Sequence, residues 1–125
     1  MVYNLMVFAP RKAGVTHEEF KIRYEQHMHL VAEICGDAAP LSHTRWYPQH
    51  DGASDKPLLL AGNAEEMYYD AIALMVFEDE AAFGRFCDAL LTEEAKARIE
   101  ADEAGFFDRS RMKVVVIGDV KEWKK

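Results

Sequence analysis

The sequence predicts an α+β domain in which helices cover one face of a four-stranded antiparallel sheet. Segments of strand composition and of helical periodicity follow one another as strand, helix, strand, strand, helix, strand, the split βαβ order. The 125 residues suit one domain. Half of them are apolar, so a core can form without metal or disulfide support.

The first strand and the first helix are marked by their ends. Residues Val2 to Phe8 favour a strand that finishes before Pro10. Thr16 stands three residues before Glu19, a capping-box pattern that predicts a helix start. The predicted buried stripe of this helix then recurs at helical spacing until Gly36 and consists of Phe20, Tyr24, His27, Val31 and Ile34.

Two further strands follow, separated by a long connection. Leu41 to Tyr47 favours a strand, and residues 48–66 are rich in turn-forming residues, so we expect a functional loop there. Asp70 to Phe77 predicts a third strand of nearly continuous apolar character.

The last part of the chain predicts two helices and the fourth strand. Acidic residues Glu78 to Glu80 favour a helix start because they lie at its positive end. Thr92 can cap a further short helix, and Met112 to Ile117 reads as a strand. These elements predict one domain at residues 1–120 and a loose tail at residues 121–125.

Composition limits the partners. The 22 acidic residues outnumber the 15 basic ones, and the basic residues are scattered, which argues against nucleic-acid and membrane partners.

Cys35 and Cys87 lie in predicted helices rather than in a disulfide framework, which favours a reducing compartment. No signal region is recognisable and the longest apolar run is Ala71 to Phe77, so we expect a cytoplasmic protein.

The sheet predicts a second copy of the chain. Helices cover only one face of a split βαβ sheet, and an apolar second face would otherwise expose a large hydrophobic patch. Two copies packed sheet against sheet remove that patch, so we expect a homodimer.

Four stretches of the chain, in order, resemble motifs of the EthD family: Thr16 to Phe20, Tyr24 to Val31, Tyr69 to Phe77 and Ala101 to Asp108. The resemblance implies a ferredoxin-like βαββαβ fold that pairs into a dimeric α/β barrel. It also implies a superfamily of small, mostly cofactor-free enzymes and of proteins without known activity. Its members are linked to several reactions: ether degradation, fungal polyketide decarboxylation, lactone isomerisation, cyclisation and quinone-forming oxygenation. The fold alone does not choose between these reactions.

His27 is the predicted catalytic residue. It best matches the histidine of the family's helix motif, and His29 stands where that motif usually has a proline. Because His27 falls on the buried stripe, we expect a partly buried imidazole that acts as a general base in a pocket. The alternative is a core histidine with its hydrogen bonds satisfied. His29 points about 200° away around the helix, so we expect it at the surface.

Asp70 is the predicted partner of His27. A carboxylate at the start of the third strand would orient the imidazole and stabilise its protonated form, although it could equally cap a turn. Asp102 and Glu103 oppose the dipole at a helix end, so we expect them to be solvated or paired.

The predicted substrate-binding residues come from the second strand and from aromatic stripes. His43, Arg45 and Tyr47 share one strand face, where Arg45 could hold a carboxylate, phenolate or enolate. A solvent-facing polar row on an edge strand is the alternative. Tyr24 and Phe83 could supply flat walls for a ring, or could be plain core.

These residues predict a cofactor-independent enzyme that transfers a proton on a small cyclic or aromatic carbonyl compound, as an isomerase, decarboxylase or cyclase. A cofactor-free oxygenase and a ligand-binding accessory protein without turnover are the alternatives. No metal is expected, because a set of His27, His43 and Asp70 has no diagnostic spacing.

Overall fold

The computed structural model describes residues 2–125 and has the predicted α+β architecture. Four strands form one antiparallel sheet in the spatial order β2-β3-β1-β4. The strands are β1 (Tyr3–Ala9), β2 (Ser42–Trp46), β3 (Ala71–Phe77) and β4 (Lys113–Ile117). The helices are α1 (His17–Cys35), α2 (Glu80–Leu90) and α3 (Glu93–Glu103).

The helix starts are those that the capping residues predict. Thr16 accepts a hydrogen bond from the Glu19 amide while the Glu19 side chain returns to the Thr16 amide, which completes the capping box of α1. Asp79 caps α2 by accepting from the Ala82 amide, and Thr92 caps α3 by accepting from the Ala95 amide. Gly36 ends α1 at a φ of 51°, a left-handed conformation that glycine adopts without steric cost.

The core lies between the sheet and the helices in two clusters. One cluster joins the start of α1 to the segment after α3 and contains Phe20, Tyr24 and Phe106. The other joins the end of α1 to α2 and contains Leu5, Phe77, Phe86 and Cys35. The small residues of β1 and β3 lie fully buried under the first cluster, where they let the aromatic rings approach the sheet.

The opposite face of the sheet is apolar and incompletely covered. Because β3 buries Ala71, Ala73 and Phe77 toward the helices, alternation turns Ile72, Leu74 and Val76 to the other side. Trp46 on β2 and Val115 on β4 lie on that side at 48% and 45% exposure. We call this surface the open sheet face.

The long connection between β2 and β3 folds back onto the start of α1. Its tip forms a turn in which His50 pairs with Pro57 and Asp55 has a φ of 57°. The Asp55 carboxylate accepts hydrogen bonds from the Arg11 guanidinium and from the His17 amide at 3.1 Å. The Asp55 carboxylate therefore connects the loop both to the segment after β1 and to the start of α1. Within residues 2–125, no helix combines the length and the apolar character that crossing a membrane requires.

Candidate functional site

His27 is sealed inside the protein rather than presented to a cavity. Its side chain is 4% exposed, and its Nδ1 group donates to Asp102 Oδ2 at 2.7 Å. Its Nε2 atom lies 3.3 Å from Glu103 Oε2. His27 therefore lines neither of the two cavities described below, because α3 packs its last turn against this part of α1 and occupies both ring nitrogens.

Glu103 extends this buried contact to Arg109, which donates two hydrogen bonds to its carboxylate at 2.7 and 2.8 Å. Burial acts to raise the pKa of Glu103, but the hydrogen bonds from His27 and Arg109 outweigh burial and lower it. Asp102 and Glu103, for which the sequence predicted either solvation or pairing, thus both contact His27 and connect α1 to α3.

Asp70 does not orient His27, which corrects the pairing that the sequence predicted. It is 2% exposed, and its Oδ1 atom accepts a hydrogen bond from His17 Nδ1 at 2.7 Å. Its Oδ2 atom accepts the Arg11 amide at 3.0 Å, and His50 Nε2 lies 3.5 Å from Oδ1. The start of β3 and the last turn of α3 lie against different parts of α1, so Asp70 meets the first residue of that helix.

A cavity of about 290 Å³ lies between α1 and the β2-β3 edge of the sheet. We call it the helix-side cavity. Its floor is apolar, with Val31, Met75 and Phe86 among the lining residues. Its polar lining comes from Glu25, His29, His43 and Arg45.

Two residues of the predicted face of β2, His43 and Arg45, line this cavity, whereas Tyr47 is not part of the lining. The ionic partner of this face is Glu25 rather than His27. Arg45 donates to the two Glu25 oxygens at 2.6 and 2.8 Å, and the Tyr47 hydroxyl donates to the same carboxylate. The hydrogen bond from Arg45 holds the pKa of Glu25 below its usual value. Burial, followed by the bond to Glu25, raises the pKa of Tyr47. Glu25 is therefore a carboxylate and Tyr47 a neutral phenol.

His43 is a neutral imidazole whose tautomer follows from its neighbour. Arg45 Nη1 lies 3.1 Å from His43 Nδ1, and because arginine can only donate, Nδ1 must accept. The proton of the neutral ring is then on Nε2. Burial and the charge of Arg45 lower the pKa of His43 to about 4, so it stays neutral across the physiological range.

His29 lies at the rim of the helix-side cavity, one helical turn after Glu25. It is exposed, as the sequence predicted, yet it belongs to the cavity lining.

Tyr24 and Phe83 line neither this cavity nor the loop-side cavity described below. Tyr24 stacks on Phe20 in the core, and burial raises its pKa to about 12. Phe83 packs on Tyr3 and Phe77 in the second core cluster. Both take the core position that was the alternative to a substrate wall.

A second cavity, of about 410 Å³, opens between the β1-α1 loop, the long connection and the start of β4. We call it the loop-side cavity. His50 and Asp70 form its buried part, and its charged lining also includes Arg11, Lys56 and Arg111. It has no lining residue in common with the helix-side cavity.

His17, His50 and Asp70 are the set among residues 2–125 whose ligand atoms could hold a metal ion, all within 4.8 Å of one another. The two imidazoles stack with centroids 3.4 Å apart and planes 13° apart. A metal ion binds an imidazole nitrogen in the ring plane at about 2.0 Å. Two nearly parallel, stacked planes share no such point, so this arrangement does not suit a metal ion bound by both imidazoles.

Sequence reasoning missed Glu25, His17 and His50. Glu25 and His29 are one turn apart on α1, and a polar pair at that spacing was a usable signal. His17 and His50 are far apart in sequence, and only the folded long connection brings them together. No local pattern could have found that pair.

The fold and the cavities define this protein as a ferredoxin-like α+β domain with its helices on one face of the sheet. The family model of the EthD domain matches residues 12–110, so the chain belongs to the EthD family. None of the curated proteins matches the chain.

Solved structures share the fold at low sequence identity. An EthD-like protein from Ralstonia eutropha is 19% identical, with 93% of this chain and 87% of that chain covered and a TM-score of 0.53. A dimeric ferredoxin-like protein of unknown function from a Jannaschia species is 14% identical, with 95% and 100% covered and a TM-score of 0.55. An antibiotic biosynthesis monooxygenase is 15% identical, with 97% and 100% covered and a TM-score of 0.52.

Proposed function

We propose that the protein is a cofactor-independent enzyme that transfers a proton on a small cyclic or aromatic carbonyl compound bound in the helix-side cavity. The observation that carries this proposal is His43, a partly buried imidazole of the cavity lining with its proton on Nε2 and its pKa lowered to about 4. Such a ring stays neutral at neutral pH and donates a hydrogen bond through Nε2–H. It suits a carbonyl oxygen that becomes an enolate.

The cavity lining supports a ring-shaped substrate. Val31, Ala32, Met75 and Phe86 supply apolar surface, and the polar groups gather on the α1 and β2 sides. A volume of about 290 Å³ limits the substrate to a small compound. One donor beside an apolar wall fixes the orientation of a ring that carries a single carbonyl group.

In this mechanism His29 acts as the base, a role that the sequence predicted for His27. The base removes a proton from the carbon beside the carbonyl, and the electron pair moves onto the carbonyl oxygen. His43 Nε2–H stabilises this oxygen, and the proton returns at another carbon. Both oxygens of Glu25 already accept hydrogen bonds, which makes Glu25 a weak base and a positioning residue for Arg45.

The experiment measures hydrogen–deuterium exchange at the acidic carbon of 2-tetralone in D₂O by NMR. We expect the protein to accelerate exchange and the H43F variant to lose about 10²-fold in rate or more, since a donor to the developing oxyanion is removed. The S42A variant, a change on the opposite face of the same strand, is the matched control and keeps the rate.

Three outcomes contradict the proposal. Unchanged exchange in H43F removes His43 from the mechanism. Binding of cyclic ketones without exchange or product, across a panel of such compounds, indicates a ligand-binding protein. Product formation that stops when dioxygen is removed indicates a cofactor-free oxygenase.

We also propose that two copies pair through the open sheet face. Trp46, Leu74 and Val115 belong to an apolar surface that the helices of the same chain do not cover. Several structures with this fold, such as the Jannaschia protein, are described as dimeric. The dimer would bury this face sheet against sheet and leave both cavities of each copy on the other side or at the sheet end.

A further inference from the structure

We propose that the loop-side cavity is a second binding site, which takes a small organic carboxylate between Arg111, Lys56 and His50. The site is independent of the helix-side cavity, because the two cavities share no lining residue. The inference therefore adds a ligand to the protein beyond the substrate proposed above.

The charges around the cavity favour an anion. Eight charged residues line it, four of them basic and four acidic, in a chain with a net charge of −7. Three of the carboxylates are already engaged within the fold: Asp55 with Arg11 and the α1 start, Asp70 with His17 and Arg11, and Asp108 with the Ser110 amide. The eight formal charges cancel, but Lys56 and Arg111 form no salt bridge within residues 2–125, so these two cations are the groups that can hold a bound anion.

Arg111 presents a guanidinium that the fold holds but does not neutralise. Its central carbon lies 3.8 Å from the centre of the Tyr68 ring, a contact that fixes the plane of the group. Within residues 2–125 it forms no salt bridge. A planar guanidinium of this kind binds a carboxylate through two parallel hydrogen bonds.

His50 supplies a third group whose charge depends on the ligand. Its Nδ1–H donates to the Pro48 carbonyl at 2.8 Å, which leaves Nε2 as an acceptor in the neutral ring. Nε2 faces Asp70 Oδ1 at 3.5 Å, and that oxygen also accepts. Two acceptors at this distance leave room for a proton between them.

The resting ring is neutral for a physical reason. Burial lowers the pKa of His50, and the neighbouring His17 on α1 and Arg11 at the end of β1 act in the same direction, while Asp70 and the Pro48 carbonyl oppose them. Asp55, on the same loop, also faces the ring, and its charge is already balanced by Arg11. A bound anion adds negative charge beside this ring, so His50 takes up a proton at Nε2 and shares it with Asp70.

The test compares benzoate with benzamide, an uncharged probe of the same shape, by calorimetry at pH 6 and pH 8. We expect benzoate to bind more tightly at pH 6, with proton uptake seen as a dependence of the heat on buffer ionisation. We expect benzamide to bind at least about tenfold more weakly, because a charged hydrogen bond is lost. Amide shifts at Ala13, Gly14 and Lys56 locate the ligand in this cavity.

Two variants separate the contributions of Arg111 and His50. R111Q should lower benzoate affinity about tenfold at both pH values. H50Q should abolish the proton uptake but keep the part of the affinity that depends on Arg111. R98Q, a surface arginine outside both cavities, is the control and should change neither. Three results would overturn the proposal. Benzamide could bind as tightly as benzoate, or the amide shifts could appear at Val31 and Ala32 instead of in the loops. The third is a pH dependence of benzoate binding that persists in H50Q.

Discussion

At the residue scale, three imidazoles that look alike in sequence have three different environments. His27 has a carboxylate at each nitrogen, His43 accepts from an arginine, and His50 donates to a carbonyl and faces Asp70. Each partner set decides what the ring can do. Of these three imidazoles, only His43 lines the helix-side cavity and has its proton assigned to Nε2. The proposed chemistry is assigned to His43 for this reason.

His43 should also determine part of the pH dependence of stability. Its pKa in the folded protein is lowered from 6.5 to about 4, so between these values the unfolded chain binds more protons. The contribution of His43 to stability is therefore complete above about pH 6.5 and is lost as the pH falls toward 4. Urea unfolding of the wild-type protein and H43Q across pH 4.5–7.5 should show a smaller slope in the variant. Identical slopes would contradict the assigned environment.

His27 should matter for stability rather than for chemistry. H27Q leaves the buried carboxylate of Glu103 with one partner fewer, and breaking such a contact costs about 3 kcal/mol. Urea unfolding measures this loss. D102N, which alters the more exposed partner at 31% side-chain exposure, is the comparison and should cost less. If H27Q kept its stability but no longer accelerated hydrogen–deuterium exchange of 2-tetralone, His27 would be a catalytic residue.

At the scale of elements, α1 supplies Glu25 and His29 to the helix-side cavity, and the start of this helix is held in two ways. The capping box fixes its first turn, and Asp55 of the long connection accepts the His17 amide. The two cavities lie at different places along this helix, with Glu25 and His29 lining one and Val15, just before it, lining the other.

The attachment of the long connection predicts a local effect of Asp55. D55N keeps a residue that tolerates positive φ but removes the charge that Arg11 and the helix start contact. We expect faster amide hydrogen exchange at residues 50–57, with little change in β3 or α2. The variant S54A in the same turn, which keeps the carboxylate, serves as the control. Exchange that is unchanged in D55N would show that backbone contacts alone hold the loop.

At the scale of the whole molecule, the open sheet face predicts the oligomeric state. Light scattering coupled to size exclusion should give twice the chain mass of 14.3 kDa. L74K places a charge in the middle of this face and should shift the protein toward the monomer with a lower Tm. K96Q, on the helical side, should remain dimeric. A wild-type monomer at micromolar concentration would contradict the proposal.

The sequence by itself determined the element order, the helix caps at Thr16 and Thr92, the antiparallel sheet and the family, because these depend on local pattern and on motifs read along the chain. It also placed His43, Arg45 and Tyr47 on one face. Only the tertiary structure decided the partners. Whether His27 meets Asp70 or Asp102, and whether His17 meets His50, depends on how segments far apart in sequence pack. That packing also decides which imidazole is buried between two carboxylates and which one lines a cavity.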